Sequence, residues 1–190
     1  QVRTYTWPDE QELTYAVKND GETVGETTLT RTYPDYDEYV EPDHSELEGA
    51  LFEPSDAETG PGVLVLHGGG GEPSLRKAAL LAERGYTAFA LHYFSGDGLP
   101  DNASELPLEY VRDAATWLCD RESTAGDRVG LIGSSLGGQL ALLAGSEFDV
   151  SGPVVSINGS GVVSEGFTGD NYPTGTSTWT LDGEPVPYLD

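Results

Sequence analysis

The pentapeptide Gly133-Ser134-Ser135-Leu136-Gly137 is the stretch of this chain best suited to covalent chemistry. It follows the apolar run Val129-Gly130-Leu131-Ile132 and opens a small-residue stretch, 136–144, of helical character. A serine held where a buried strand turns into a helix needs a very tight backbone, so the residues two positions away on each side must lack side chains. Glycine stands at both. Such a turn lifts Ser135 Oγ out of the sheet edge as a nucleophile. The N–H of Leu136 then points to where an oxyanion would form, with a helix N-terminus behind it.

A second stretch, His67-Gly68-Gly69-Gly70-Gly71, follows the apolar run Val63-Leu64-Val65-Leu66. Glycines at a strand's end let backbone N–H groups come close to a ligand. The spacing does not give G-x-G-x-x-G, and no G-K-[ST] follows, which argues against a phosphate cradle. Paired with Ser135, the run is expected to supply the second half of an oxyanion hole, with Gly69 and Gly70 as donors.

A serine nucleophile needs a base, usually a histidine held by an acid. His44, His67 and His92 all precede Ser135, whereas in this strand–turn–helix arrangement the partners follow in the order Ser, acid, His. His67 is expected to order the glycine loop, His92 to sit in the core or at its rim, and His44 in an exposed turn. Cys119, beside Trp117 and Leu118, reads as a small buried hydrophobe. Asn158-Gly159-Ser160 fits a glycosylation sequon but directly follows a buried strand and is discounted.

The elements that must position these residues begin with two strand-like stretches, 12–18 and 23–31, joined at Asn19-Asp20-Gly21, a hairpin signal. Such a hairpin must pack on something. Tyr33-Pro34-Asp35 breaks the pattern, a second hairpin spans 36–41 and 46–52, and 54–62 reads as a polar loop. From residue 63 strands and helices alternate. Strands are expected at 63–66, 87–93, 128–132 and 154–157, all buried. Helices are expected at 74–84, capped by Ser74 and stopped by Gly85, at 107–121, and at 136–144. Leu108, Val111, Ala115 and Leu118 line one face of the middle helix. From Gly159 onward only loop is expected. The alternation implies a mainly parallel sheet with helices on both faces.

Composition narrows the function. The 190 residues carry 33 acidic and 9 basic side chains, a net charge of −24. This excludes an electrostatic grip on nucleic acid or anionic lipid as the main activity. A hydrophobic share of 37%, with ten Tyr and three Trp, excludes a disordered acidic tail. One cysteine excludes a disulfide scaffold or Cys-based zinc site, and no cofactor or metal motif is present. No apolar run reaches the 18 residues of a membrane span. The acids are dispersed along the chain, and only Lys18 and Lys77 are lysines. That pattern implies a protein working in very high salt, where like-charge repulsion is screened, in the cytoplasm of a halophilic, archaeal source. The chain starts at Gln1, with no methionine anywhere and no charged-then-apolar leader. The expectation is an internal piece of a longer chain.

Residues 61–190 resemble the catalytic domain of the acyl-CoA thioesterase / bile acid-CoA:amino acid N-acyltransferase family, an α/β-hydrolase group. The resemblance rests on Pro61-Gly-Val-Leu-Val-Leu-His-Gly-Gly-Gly-Gly71, Leu81-Ala-Glu-Arg-Gly-Tyr-Thr-Ala-Phe-Ala-Leu-His-Tyr-Phe94 and Leu99-Pro100. It continues through Leu108-Glu109-Tyr110, Val129-Gly-Leu-Ile-Gly-Ser-Ser-Leu-Gly-Gly138 and Val155-Ser-Ile-Asn-Gly-Ser160. The most specific parts are Ser156-Ile-Asn-Gly-Ser160 and the Leu-Glu-Tyr triplet. The resemblance implies hydrolysis of an acyl-CoA thioester, or acyl transfer from CoA. Transferase members carry Cys at the nucleophile position, so Ser135 favours hydrolysis. It also implies that residues 1–32 are the tail of a preceding β-sandwich domain and 33–190 a partial α/β-hydrolase, truncated after the sixth strand. The 36–52 hairpin would supply its first two strands. Two departures stand out. Gly138-Gln139 replaces an acidic residue that usually follows the nucleophile turn, and Asp149, Asp170 and Asp182 fall too early to serve as the triad acid. Arg76 and Lys77 are the only clustered cations available for CoA phosphates. The same residues would also suit a carboxylesterase or dienelactone-hydrolase-like enzyme, or a non-catalytic binding module.

Overall fold

Val63 and Val65 point to one side of a sheet, Leu64 and Leu66 to the other, and all four are buried. A strand covered on both faces is the signature of a parallel sheet flanked by helices, and the computed structural model has that architecture. It describes residues 2–4, 10–32, 38–44, 46–54, 59–170 and 172–189. The expected break at Tyr33-Pro34-Asp35, the start of the second hairpin at Tyr36 and part of the 54–62 loop lie outside the described residues.

The chain begins with β1 (Val2–Thr4), β2 (Glu10–Asn19), β3 (Glu22–Thr32), β4 (Glu38–Val40) and β5 (Glu48–Phe52). Alternation follows: β6 (Gly60–Leu66), α1 (Leu75–Ala82), β7 (Thr87–His92), the short β8 (Leu106–Pro107), α2 (Leu108–Cys119), β9 (Thr124–Ser134), α3 (Leu136–Glu147) and β10 (Ser151–Ile157). Four short strands come after it: β11 (Glu165–Phe167), β12 (Pro173–Ser177), β13 (Trp179–Leu181) and β14 (Glu184–Pro185).

The main sheet has the order β1-β4-β5-β7-β6-β9-β10. Strands β7, β6, β9 and β10 run parallel, while β1, β4 and β5 add antiparallel partners at one end. The second hairpin thus lies where the sequence placed it, and β1 extends it, with Val2 opposite Val40. Helix α1 covers one face through Ala78, Ala79 and Ala82, against Val63, Val65, Ala88 and Ala90. Small side chains on both surfaces let helix and sheet approach closely. Helices α2 and α3 cover the other face. Leu108, Val111, Ala115 and Leu118 are all buried there, as their spacing predicts. Pro107 is the N-cap of α2 rather than part of its first turn, and Ser74 caps α1 by position only, with no side-chain bond.

The hairpin β2–β3 turns at Asp20 and Gly21, both with positive φ (50° and 88°), the geometry a two-residue hairpin turn demands. Tyr15, Val17, Val24 and Leu29 remain exposed on it.

Two expectations are corrected. Strand β10 is not buried on both faces: it is the last strand in the sheet order, and Val155 and Ile157 are 49% and 41% exposed. Nor is the stretch after Gly159 only loop. Strands β11 and β12 pair with each other, and β13 pairs with β14 on one side and with β8 on the other. These strands are two to five residues long, too short to show a period, and β13 takes its partner from some 70 residues earlier.

Candidate active site

The parallel strands end together. Leu66 pairs with Gly133, Gly133 with Ser156 and Ser134 with Ile157, so the glycine loop, Ser135 and Asn158 leave the sheet side by side. Ser135 takes φ 55°, ψ −118°, a strained conformation for a residue with a side chain. Its N–H donates to Ile157 O at 2.8 Å, and its own carbonyl accepts the first helical bonds of α3 from Gly138 and Gln139. Glycine is obligatory on either side. A Cβ at Gly133 would run into the carbonyl of Gly137, and one at Gly137 into the carbonyls of Leu66 and His67. The elbow the pentapeptide predicts is therefore formed. Ser135 is exposed, and Leu136 behind it is buried.

The glycine loop meets this elbow at Gly68, a contact that the residue types alone do not single out. A side chain there would come within 3.3 Å of Ser134 O and 3.6 Å of Ser135 Cβ. Gly69 faces the Phe167 ring, and Gly70 has open space around it. Nothing in a run of four glycines marks which one touches the elbow.

None of the three histidines hydrogen-bonds Ser135. His67 orders the loop, as expected: its Nδ1–H donates to Gly68 O at 2.8 Å, and its ring stacks on Tyr93 at 4.0 Å between centroids. Burial pushes its pKa down to about 4, so the ring is neutral. His92 Nε2–H donates to Gly71 O at 2.7 Å, tying the far end of the loop to the end of β7. His44 is exposed and accepts the Glu46 N–H. Cys119 packs against the core, and burial raises its thiol pKa, so it stays protonated.

Lys77, on the first turns of α1, turns inward. Its Nζ donates to Ser134 Oγ at 2.7 Å, and burial lowers its pKa. The cation expected to face a CoA phosphate is instead held against the elbow.

The departure at Gln139 also has a structural role. Its amide is buried, accepting from Trp179 Nε1 and donating to Val162 O, both at 2.7 Å. One side chain thus fastens the chain after Gly159 to the helix that carries Ser135. Beside it lies a cavity of about 380 Å³, lined by Tyr93, Leu99, Leu106, Val111, Leu140 and Trp179 among others. Leu140 stands five residues beyond Ser135 on α3, about 7.5 Å of helix rise. Among the described residues no cluster of three or more His, Cys, Asp or Glu could hold a metal ion, and no helix is long and apolar enough to cross a membrane.

Parallel strands, an elbow serine and helices on both faces define the α/β-hydrolase fold, and solved structures agree. The chain is similar to a dienelactone hydrolase-like promiscuous phosphotriesterase from metagenomic libraries, at TM-score 0.54 and 20% identity over 64% of this chain and 59% of that one. It is also similar to the α/β hydrolase GrgF from Penicillium sp. sh18, at TM-score 0.52 and 17% identity over 82% and 47%. Residues 106–171 match the model of the BAAT / acyl-CoA thioester hydrolase C-terminal family. Acyl-coenzyme A thioesterase 1 of Mus musculus is 35% identical over 114 residues, 60% of this chain and 27% of the relative. Bile acid-CoA:amino acid N-acyltransferase of Mus musculus is 33% identical over 132 residues, 68% of this chain and 31% of the relative. The chain thus spans less than a third of the length of these relatives.

Proposed function

We propose that the protein is a serine hydrolase acting on acyl-CoA thioesters. The observation that carries this reading is Ser135 itself, exposed at φ 55° at the head of α3 with Gly68 against it; the relatives' names supply the thioester. Ser135 Oγ attacks the thioester carbonyl carbon. The resulting oxyanion is held by the N–H of Leu136 and by the glycine loop, with Gly69 and Gly70 as donors. The CoA thiol leaves with a proton, and water then hydrolyses the acyl-serine. The three histidines being engaged elsewhere, this reading draws the acid and base from outside the described residues. By the family resemblance, a serine rather than a cysteine at this position favours water over an amine as acceptor. An oxygen ester would serve the same residues, so turnover of acyl-CoA is to be compared with that of short p-nitrophenyl esters. Faster turnover of the esters would replace the thioesterase reading by a carboxylesterase one.

The cavity beside α3 suits the acyl chain. Rates on an acyl-CoA series are expected to peak at a chain length that the cavity can hold. Val111→Trp, which fills the cavity, is expected to move the peak to shorter chains, and an unmoved peak would exclude this pocket as the acyl site.

The net charge of −24 supports work in a salt-rich, halophilic cytoplasm. The unfolding midpoint is expected to rise steeply between about 0.1 M and 3 M KCl, as the Debye length shrinks from about 10 Å to below 3 Å. A midpoint independent of KCl would remove the high-salt reading and leave the hydrolase reading intact.

A further inference from the structure

The chain has 33 acidic side chains and two lysines, yet Lys77 has no carboxylate partner among the described residues. Its one bond among those residues is to Ser134 Oγ, at 2.7 Å. An acid-rich surface offers a lysine many places to pair, and this ammonium is half-buried instead, at a cost in hydration. Its position is specific. Ser134 is the residue before Ser135, and its carbonyl lies against Gly68. Helix α1 is the element that follows the glycine loop, so this bond ties the helix after the loop to the elbow.

We propose that Lys77 is a positioning residue for the nucleophile: it fixes Ser134, and with it the strained peptide leading into Ser135, and sets a positive charge beside the oxyanion. The proposal rests on Ser135 being the nucleophile. Its charge acts on the transition state more than on the bound thioester, because only the former carries a full negative charge at that oxygen. At the effective dielectric of a partly buried site, about 20, a cation within several ångströms of a developing charge is worth about 10- to 100-fold in rate.

The test uses the intact protein, decanoyl-CoA as substrate and a fluorophosphonate as a probe of Ser135. Lys77→Met is expected to lower kcat about 10- to 100-fold and leave KM within about twofold. Lys77→Arg is expected to restore most of the loss, since it keeps the charge and the donor. Ser134→Ala cuts the link while keeping the cation, and is expected to lower kcat about tenfold. It carries the test if Lys77→Met does not fold. An unchanged kcat in Lys77→Met or in Ser134→Ala would overturn the proposal. So would a Lys77→Arg protein as slow as Lys77→Met, which would make the role one of packing. A wild-type protein that the probe does not label at Ser135 would overturn the nucleophile reading and this proposal with it. Labelling with an unaffected Lys77→Met would overturn this proposal alone.

Discussion

Ser135→Ala is expected to lower kcat for acyl-CoA hydrolysis by about 10,000-fold or more in the intact protein, measured as release of free thiol. Without Oγ no acyl-serine forms, and only the oxyanion donors and binding remain to accelerate attack by water. The substitution removes one exposed oxygen, so the fold should be unaffected. The conformation at φ 55° makes a second comparison informative. Ser135→Gly loses the same oxygen but accepts that backbone at no steric cost, so it should be more stable than the alanine variant by about 1 kcal/mol. The strain is then visible as stability withheld in favour of a projecting serine. A Ser135→Ala protein as active as wild type would exclude the serine-hydrolase reading altogether.

Trp179→Ala is the substitution with the largest expected effect on stability. Trp179 is 1% exposed, and its ring lies among Tyr93, Leu140 and the other residues around the cavity. Truncating a buried tryptophan costs about 3–5 kcal/mol through lost transfer and the void left behind. It also leaves Gln139 Oε1, now bonded to Trp179 Nε1 at 2.7 Å, without a partner, a further cost of about 1–3 kcal/mol. Trp179→Phe keeps most of the apolar bulk and should lose mainly the second part. Urea unfolding of both variants separates the two contributions. If residues after Gly159 were an irregular surface loop, both variants would stay within about 0.5 kcal/mol of wild type, and the layered arrangement described above would be refuted.

The two cases differ in how much of each could be read from the residues. The elbow is a local device. Gly133, Ser135 and Gly137 lie within five residues, and the apolar run before them and the small-residue stretch after them are contiguous, so their types and spacing suffice. The buried strands 63–66 and 87–93 and the helix carrying Leu108, Val111, Ala115 and Leu118 were legible for the same reason. A short-range period of side chains reports which face is covered. The loop-ordering role of His67 was also legible from its place at the head of the glycine run, whereas its ring contacts to Tyr93, Phe94 and His92 were not.

The misread parts all depend on distant partners. Gln139 reads as an odd polar residue on the helix that follows Ser135 until Trp179, 40 residues on, supplies the donor it accepts from. Trp179 sits in a stretch of Ser, Thr and Gly whose strands are too short for a period and pair with β8 and β14. The exposure of Val155 and Ile157 follows from the place of β10 at the end of the sheet, which a run of apolar residues cannot express. Gly68 rather than the glycines after it meets the elbow because of how strands β6 and β9 are registered. Lys77 reads as a surface cation until the fold brings it to Ser134, 57 residues away.

By itself, then, the order of residues determined the parallel sheet, the helices on its two faces and the strained serine between two glycines, because each depends on side-chain size and polarity within one turn or strand. Tertiary structure decided which glycine, which lysine and which tryptophan surround that serine. Those choices depend on strand register and on closing loops of 40 to 73 residues, and no local pattern encodes where such loops close.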